Sequence, residues 1–244
     1  MKRFGLIGFP LSHSFSKKYF TEKFEREGLS DHVYELYPLE KIEQLPGLLD
    51  SVPDLRGLNV TIPYKRAVLP YLHKTELPGN ITACNCIRID EGKLTGFNTD
   101  VTGFENSFRP LLKSHHQKAL ILGNGGATAA VVHVLEKCNI SYKIVSRKLH
   151  QGSSLQYEDI DESIMKEYSV IINTTPVGTF PAVDECPPIP YQFISSNHYL
   201  FDLIYNPAQT LFLKKGEERG ATTRNGYEML VIQAEESWKI WNRD

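Results

Sequence analysis

Hydrophobic and polar positions follow two rhythms along the chain, one of strand length and one of helical spacing. RFGLIG (3–8) is a short apolar run. Ser12, Ser14 and Ser16 then offer capping hydroxyls, and KKYFTEKFEREG sets Tyr19, Phe20 and Phe24 at helical spacing before closing on Gly28. HVYELYPL (32–39) alternates as a strand does, and LEKIEQLPGLLD is helix-like with a Pro-Gly interruption. RGLNVTI (56–62) predicts another strand. Pro63 fits the first position of a helix whose apolar stripe is Ala67, Val68 and Leu72. TACNCIRI and KLTGFN flank Asp90-Glu91-Gly92, the pattern of a hairpin.

VTGFENSFRPLL (101–112) reads as a linking helix, after which a second series begins. KALILG (118–123), SYKIVS (141–146), SVIINTT (169–175) and YLFDLIY (199–205) have strand character. GATAAVVHVLEKC and AQTLFLKKGEERG, between and after them, are helical. In the last segment Tyr227, Leu230, Val231, Ala234, Trp238 and Trp241 share one helical face. The proline-rich FPAVDECPPIP (180–190) predicts an irregular surface loop. Strands separated by helices imply α/β architecture with mostly parallel sheets. Two such series, split near residue 100, imply two domains.

Composition narrows the function classes. The 244 residues are 41% hydrophobic and 23% charged, as expected of a globular enzyme-sized chain. A net charge of -2 offers no basic surface for nucleic acid. No apolar run approaches the length of a membrane span, and the apolar residues after Met1-Lys2-Arg3 are too few for a secretory signal core, so a cytoplasmic location is expected. Cys84, Cys86, Cys138 and Cys186 form no CxxC pair and show no zinc spacing. Buried free thiols and no metal site are expected.

The first candidate chemistry is LILGNGGATAA, a strand, a glycine turn and a helix start. Gly123 permits the tight turn, Gly125 lets the backbone approach a pyrophosphate, and the helix N-terminus offers unpaired N–H groups. The third fingerprint position is Thr128, where glycine or alanine is usual. The next strand ends in Ser146-Arg147-Lys148 with no acid until Glu158. An acid at that edge binds the ribose 2′-hydroxyl of NAD; two cations attract the 2′-phosphate of NADP instead.

The second is a set of polar residues ending strands of the first half. These are Ser14 and Ser16, then Asn59, Thr61 and Lys65 in NVTIPYK, then Asn98, Thr99 and Asp100 in GFNTD. Such groups at the carboxyl ends of strands suit a polyhydroxylated carboxylate. Each has a simpler role open to it. The serines and Asp100 could cap helices, and Asn59 and Thr61 could be ordinary strand residues.

Taken in order, GFPLSHSFS, NVTIPYK, TACNCI, GFNTD, GNGGATAA, INTTPVG, DLIYNPAQTLFL and NGYEMLVIQA resemble the shikimate dehydrogenase family over nearly the whole chain. The resemblance implies reversible, NADPH-dependent reduction of 3-dehydroshikimate to shikimate by a monomer or homodimer. It implies a substrate-binding catalytic domain of residues 1–100 with 226–244, the last helix returning to it, and a Rossmann-type NADP-binding domain of 101–225. Lys65 and Asp100 match the catalytic pair. Ser14, Ser16 and Tyr205 match the carboxylate site. Asn59, Thr61, Asn85 and Asp100 match contacts to the ring hydroxyls, and Gln233 matches the residue that closes over the substrate. Gly123, Gly125, Gly126 and Ala127 match the pyrophosphate loop, and Ser146 and Arg147, with Lys148 beside them, the 2′-phosphate site. Thr174, Thr175, Leu203, Gly226 and Met229 match the lining toward the nicotinamide.

The chain departs from the family pattern at several points. Lys17 follows Ser16 where proline is usual, Ser146 and Lys148 flank Arg147 in place of Asn and Thr, and Gln151 and Ala129-Ala130 stand where basic residues are common. A helix N-terminus near Pro63 would disfavour charge on Lys65, while Asp100 would favour it. Two rival readings share most of these motifs: an NAD-using quinate/shikimate dehydrogenase and a nucleotide-sensing relative without catalysis.

Overall fold

A computed structural model describes residues 1–11, 14–148 and 154–243; Ser12 and Gln151 lie outside the described residues. Contacts divide the chain into two units, residues 1–99 with 233–244, and residues 100–232. The boundary expected at 225/226 and this one at 232/233 differ by part of one helix.

The first unit is built on a six-stranded sheet. Its strands are β1 (Lys2–Gly8), β2 (His32–Pro38), β3 (Leu55–Val60), β4 (Lys74–Glu76), β5 (Cys86–Asp90) and β6 (Lys93–Phe97), in the spatial order β2-β1-β3-β5-β6-β4. β1 pairs in parallel with β2 and β3, and β4 with β6; β5 runs antiparallel to both neighbours. Glu91 and Gly92, both at positive φ, close the β5–β6 hairpin. Because side chains alternate across a strand, the sheet carries a core on each face. Phe4 and Leu6 face a cluster with Phe20 and Phe24 of α1 (Phe15–Arg26) and Ala234, Ile240 and Trp241 of the last helix, α8 (Tyr227–Trp241). Ile7, Leu58 and Val60 face the opposite way, packing with Leu45 of α2 (Leu45–Ser51) and Tyr64 of α3 (Tyr64–Ala67).

The second unit holds β7 (Lys118–Leu122), β8 (Ser141–Ser146), β9 (Leu155–Gln156), β10 (Val170–Asn173), β11 (Tyr199–Asp202) and β12 (Thr222–Arg224). Their order is β12-β11-β10-β7-β8-β9 and every pairing is parallel. Counted from β7, that is the doubly wound order of a dinucleotide-binding sheet. α4 (Asp100–Phe108) packs beside α5 (Thr128–Lys137); Phe108 of α4 stacks on Tyr199, and Phe104 meets Phe201 edge to face. α6 (Glu162–Glu167) and α7 (Leu211–Glu217) meet the other face through Met165, Phe212 and Leu213.

Several expected elements are corrected. Pro63 does not open a helix: the Tyr64 N–H donates to the Thr61 carbonyl, closing a turn over 61–64 before α3 starts. Lys65 is therefore the second residue of a single helical turn, too short for the dipole effect expected of it. Pro46 and Gly47 do not interrupt a helix but sit in the first turn of α2, where a missing N–H costs nothing. Cys84 and Cys86 are buried, but Cys138 and Cys186 are only partly so; all four are free. Among the described residues no helix is long and apolar enough to cross a membrane, and no group of three or more His, Cys, Asp or Glu side chains could hold a metal ion.

Candidate active site

Topology alone gathers the polar segments of the first unit. β1 and β3 are parallel, so Gly8 and Val60 end at the same edge of the sheet. β5 is antiparallel to β3, with Asn59 opposite Cys86, so Asn85 enters the sheet beside the end of β3. β6 is antiparallel to β5, so Asn98 and Thr99 leave at that edge too. Hydrogen bonds stitch these ends together: Val60 N–H to Asn85 O (2.9 Å), Asn85 N–H to Phe97 O (3.1 Å), Asn98 Nδ2 to Ala83 O (2.7 Å) and Cys84 N–H to Lys65 O (2.7 Å). The last ties the backbone of Lys65 to the same edge, with its side chain half-buried.

Ser14 is the N-cap of α1, its Oγ accepting from the Lys17 N–H at 3.3 Å. A capping hydroxyl accepts with its oxygen and keeps its proton for a second partner. Ser16 lies in the first turn and hydrogen-bonds the Tyr34 phenol, whose pKa burial pushes far up. Thr61 falls just past β3, half-buried. Asp100 is buried at the first position of α4, in the second unit.

Asn59 is buried in a hydrogen-bond network. Its Oδ1 accepts from Tyr34 Oη (2.9 Å), and its Nδ2 donates to Asn85 O (3.3 Å) and to Ser237 Oγ (2.9 Å). Both amide protons are committed to the protein, so Asn59 holds α8 to the sheet, while its Oδ1 keeps a second acceptor position. Asn85 and Gln233 belong to the same buried network through Thr99. Tyr34 and Ser237 carry no site assignment in the sequence, since their partners lie far off along the chain; Thr99 is among the polar residues of GFNTD.

In the second unit the glycine turn follows β7, at the point where strand order reverses between β8 and β10. Gly123 sits at φ +100°, and a Cβ there would lie 2.6 Å from Thr175 Cγ2, so only glycine fits. Gly125 and Gly126 are different: an added Cβ would touch only Thr174 O at 3.7 Å in the first and nothing within 4 Å in the second. Internal packing does not require them to be glycine, and the open space above them suits a pyrophosphate at the start of α5. Thr128, the unusual third position, is buried; its Oγ1 pairs with Thr174 Oγ1 (3.0 Å), which also donates to Leu122 O (2.9 Å). The hydroxyl pair thus pins α5 to the loop after β10, the packing task of the usual glycine. Ala127 directly precedes α5.

At the end of β8, Ser146 Oγ donates to Lys148 O (2.7 Å) and curls the chain, leaving Arg147 and Lys148 exposed. The expected SVIINTT strand ends at Asn173, so Thr174 and Thr175 are loop residues, and Leu203 to Tyr205 likewise lie beyond β11. A buried carboxylate organises both loops. Asp202 accepts from Asn173 Nδ2 (3.0 Å), the Ile204 N–H (3.1 Å) and Thr210 Oγ1 (2.6 Å), and burial raises its pKa to about 6. Asn173 Oδ1 in turn receives the N–H and hydroxyl of Thr175. Gly226 has no room for a side chain, because an added Cβ would overlap the Leu203 carbonyl; Met229 is buried one turn on, and burial raises the pKa of Tyr205.

A glycine turn at the switch point of a wholly parallel six-stranded sheet, followed by two exposed cations, defines the second unit as a dinucleotide-binding α/β domain. Residues 6–87 match the family described as shikimate dehydrogenase substrate binding domain. The chain is 37% identical over 253 residues to shikimate dehydrogenase (NADP(+)) of Clostridium beijerinckii, covering 99% of this chain and 92% of that one. It resembles the solved shikimate 5-dehydrogenase of Thermus thermophilus in complex with NADP(H) and shikimate, at TM-score 0.86 and 29% identity over 99% of this chain and 94% of that one. It also resembles that of Listeria monocytogenes in complex with shikimate and NAD, at TM-score 0.87 and 26% identity over 100% and 92%. The chain belongs to the shikimate dehydrogenase family.

Proposed function

We propose that this protein is an NADP-dependent shikimate dehydrogenase, reducing 3-dehydroshikimate to shikimate reversibly. The observation that carries the reading is the convergence of β1, β3, β5 and β6 ends, with Ser14, Ser16, Thr61, Lys65 and Asn85 on the segments at one edge of a single sheet.

The Ser14 hydroxyl donates to the substrate carboxylate, Ser16 does so once substrate draws its proton from Tyr34, and the Tyr205 phenol donates as well. Thr61, Asn85, Asp100 and Gln233 take the ring hydroxyls. When bound, NADPH supplies the hydride to the C3 carbonyl carbon. The Lys65 ammonium delivers a proton to the C3 oxygen, and the resulting amine regains one from solvent; in the oxidative direction the amine accepts the hydroxyl proton. The Asp100 carboxylate orients the ammonium. Backbone N–H groups of Gly123, Gly125, Gly126 and Ala127 hold the pyrophosphate. Ser146, Arg147 and Lys148 hold the 2′-phosphate, and Thr174, Thr175, Leu203, Gly226 and Met229 shape the nicotinamide end. The enzyme acts in the cytoplasm as a monomer or homodimer, a state sedimentation would report.

The test is oxidation of shikimate and of quinate, each with NADP⁺ and with NAD⁺. Shikimate with NADP⁺ should give the highest kcat/KM. Preference for quinate with NAD⁺ would favour the rival enzyme, and no turnover in any combination would favour a nucleotide-sensing relative.

A further inference from the structure

Under the candidate substrate residues of the first unit runs a string of buried polar groups whose donors and acceptors can be assigned one by one. The Tyr34 hydroxyl donates to Asn59 Oδ1, which turns the Asn59 amide so that Nδ2 meets Ser237 Oγ at 2.9 Å. Ser237 accepts that bond, so its own proton goes to Gln233 O, one helical turn back at 2.9 Å. Thr99 Oγ1 accepts from Asn85 Nδ2 at 3.0 Å and stands 3.3 Å from both Gln233 Oε1 and Ser237 Oγ. Asn85 Oδ1 already receives the Thr99 N–H at 2.7 Å. An amide oxygen can only accept, so Thr99 is the donor in its contact with Gln233 Oε1, with Asn85 Oδ1 and Ser237 Oγ as further acceptors at 3.3 Å. The carboxamide of Gln233 is thereby oriented, its Nε2 being the end turned away from Thr99.

We propose that Thr99 and Ser237 are positioning residues that lock the Gln233 side chain so that it meets the substrate as a hydrogen-bond donor toward a ring oxygen. The inference rests on the reading of Gln233 as a substrate contact. Tyr34 and Asn59 extend the lock to Ser16, so carboxylate and hydroxyl contacts share one buried framework. The physical gain is preorganisation. A free glutamine loses rotamer freedom and must choose between two amide orientations when substrate binds; a locked one has done both on folding.

The experiment is a double-mutant cycle on the full-length enzyme. Thr99→Val keeps the shape and removes the hydroxyl. It should raise the KM for shikimate roughly tenfold, the scale of one lost hydrogen bond, with the KM for NADP⁺ unchanged. Thr99→Ser should restore it. Gln233→Ala should raise the shikimate KM at least as much, and Thr99→Val should raise it by a smaller factor in the Gln233→Ala background than in wild type, the remainder being its hold on Asn85. An equal factor in both backgrounds, or a normal KM in Thr99→Val, overturns the lock. A normal KM in Gln233→Ala overturns the reading of Gln233 itself, a separate result. If Thr99→Val does not fold, Ser237→Ala enters the same cycle with the same expected outcomes.

Discussion

Gly57 lies on β3 beneath Trp241, the last residue of α8. A Cβ at Gly57 would stand 2.6 Å from Trp241 Cε2, and nearer still to Cδ1 and Nε1. Carbon atoms in contact rest about 3.5–4.0 Å apart, so the indole of Gly57→Ala must retreat by roughly 1 Å. It has no slack. Trp241 is packed against Phe4 (4.9 Å between ring centres) and Phe20 (5.3 Å), and its N–H donates to Ile87 O at 3.0 Å. Overpacking costs about 1–3 kcal/mol, and a carbonyl stranded at Ile87 costs about 1–3 kcal/mol more. Reduced freedom of the unfolded chain returns about 0.4–1 kcal/mol. The net destabilisation is about 2–5 kcal/mol. The protein has two tryptophans, Trp238 and Trp241, both on α8, so tryptophan fluorescence during urea unfolding reports on the first unit. Gln233 sits eight residues back on the same helix, so the KM for shikimate should rise with the loss of stability. Trp241→Leu should partly rescue Gly57→Ala, giving a double variant more stable than the sum of the two. A Gly57→Ala midpoint unchanged to within about 0.5 kcal/mol, or strict additivity, would refute the packing account.

Arg147→Asp should weaken NADPH by on the order of 10–100-fold, the scale of a lost charge-assisted hydrogen bond, and leave NADH nearly unaffected; equal loss of both would remove Arg147 from the phosphate site. Two buried groups of the second unit should give opposite pH slopes. Burial raises Asp202 from 3.8 to about 6, so its contribution to stability is full below 3.8 and lost as pH rises through 6, about 3 kcal/mol in all. Burial, helped by His115, lowers His116 from 6.5 to about 4, so its contribution is full above 6.5 and lost as pH falls through 4, also about 3 kcal/mol. In urea titrations followed by circular dichroism, Asp202→Asn should gain on wild type as pH rises from about 4 to about 7.5, and His116→Asn should gain as pH falls; parallel curves would contradict both assignments.

The parallel strands are legible in the sequence because their apolar runs are continuous: ALIL in β7 and VIIN in β10 are buried along their length. β4, β9 and β12 are not. They are two or three residues long, β4 is wholly exposed, and each is defined by the neighbour it pairs with and not by a pattern of its own. Site residues carried by local motifs, such as Gly123 at its positive φ, can be read from the turn they make. The structural part of Asn59 is not legible, because its partner Ser237 is 178 residues away and nothing near either residue announces the other. Gly57 is silent for the same reason: its small size is dictated by Trp241. Thr128 looks like an imperfect fingerprint until Thr174 supplies its partner.

The central claim is that Lys65 transfers the proton at the C3 oxygen of the substrate. It is tested most directly by comparing kcat for shikimate oxidation with NADP⁺ between wild type and Lys65→Ala, with NADP⁺ affinity and circular dichroism as controls on folding. The account predicts a fall of roughly 10²–10⁴-fold with both controls unchanged. Turnover close to wild type would contradict it.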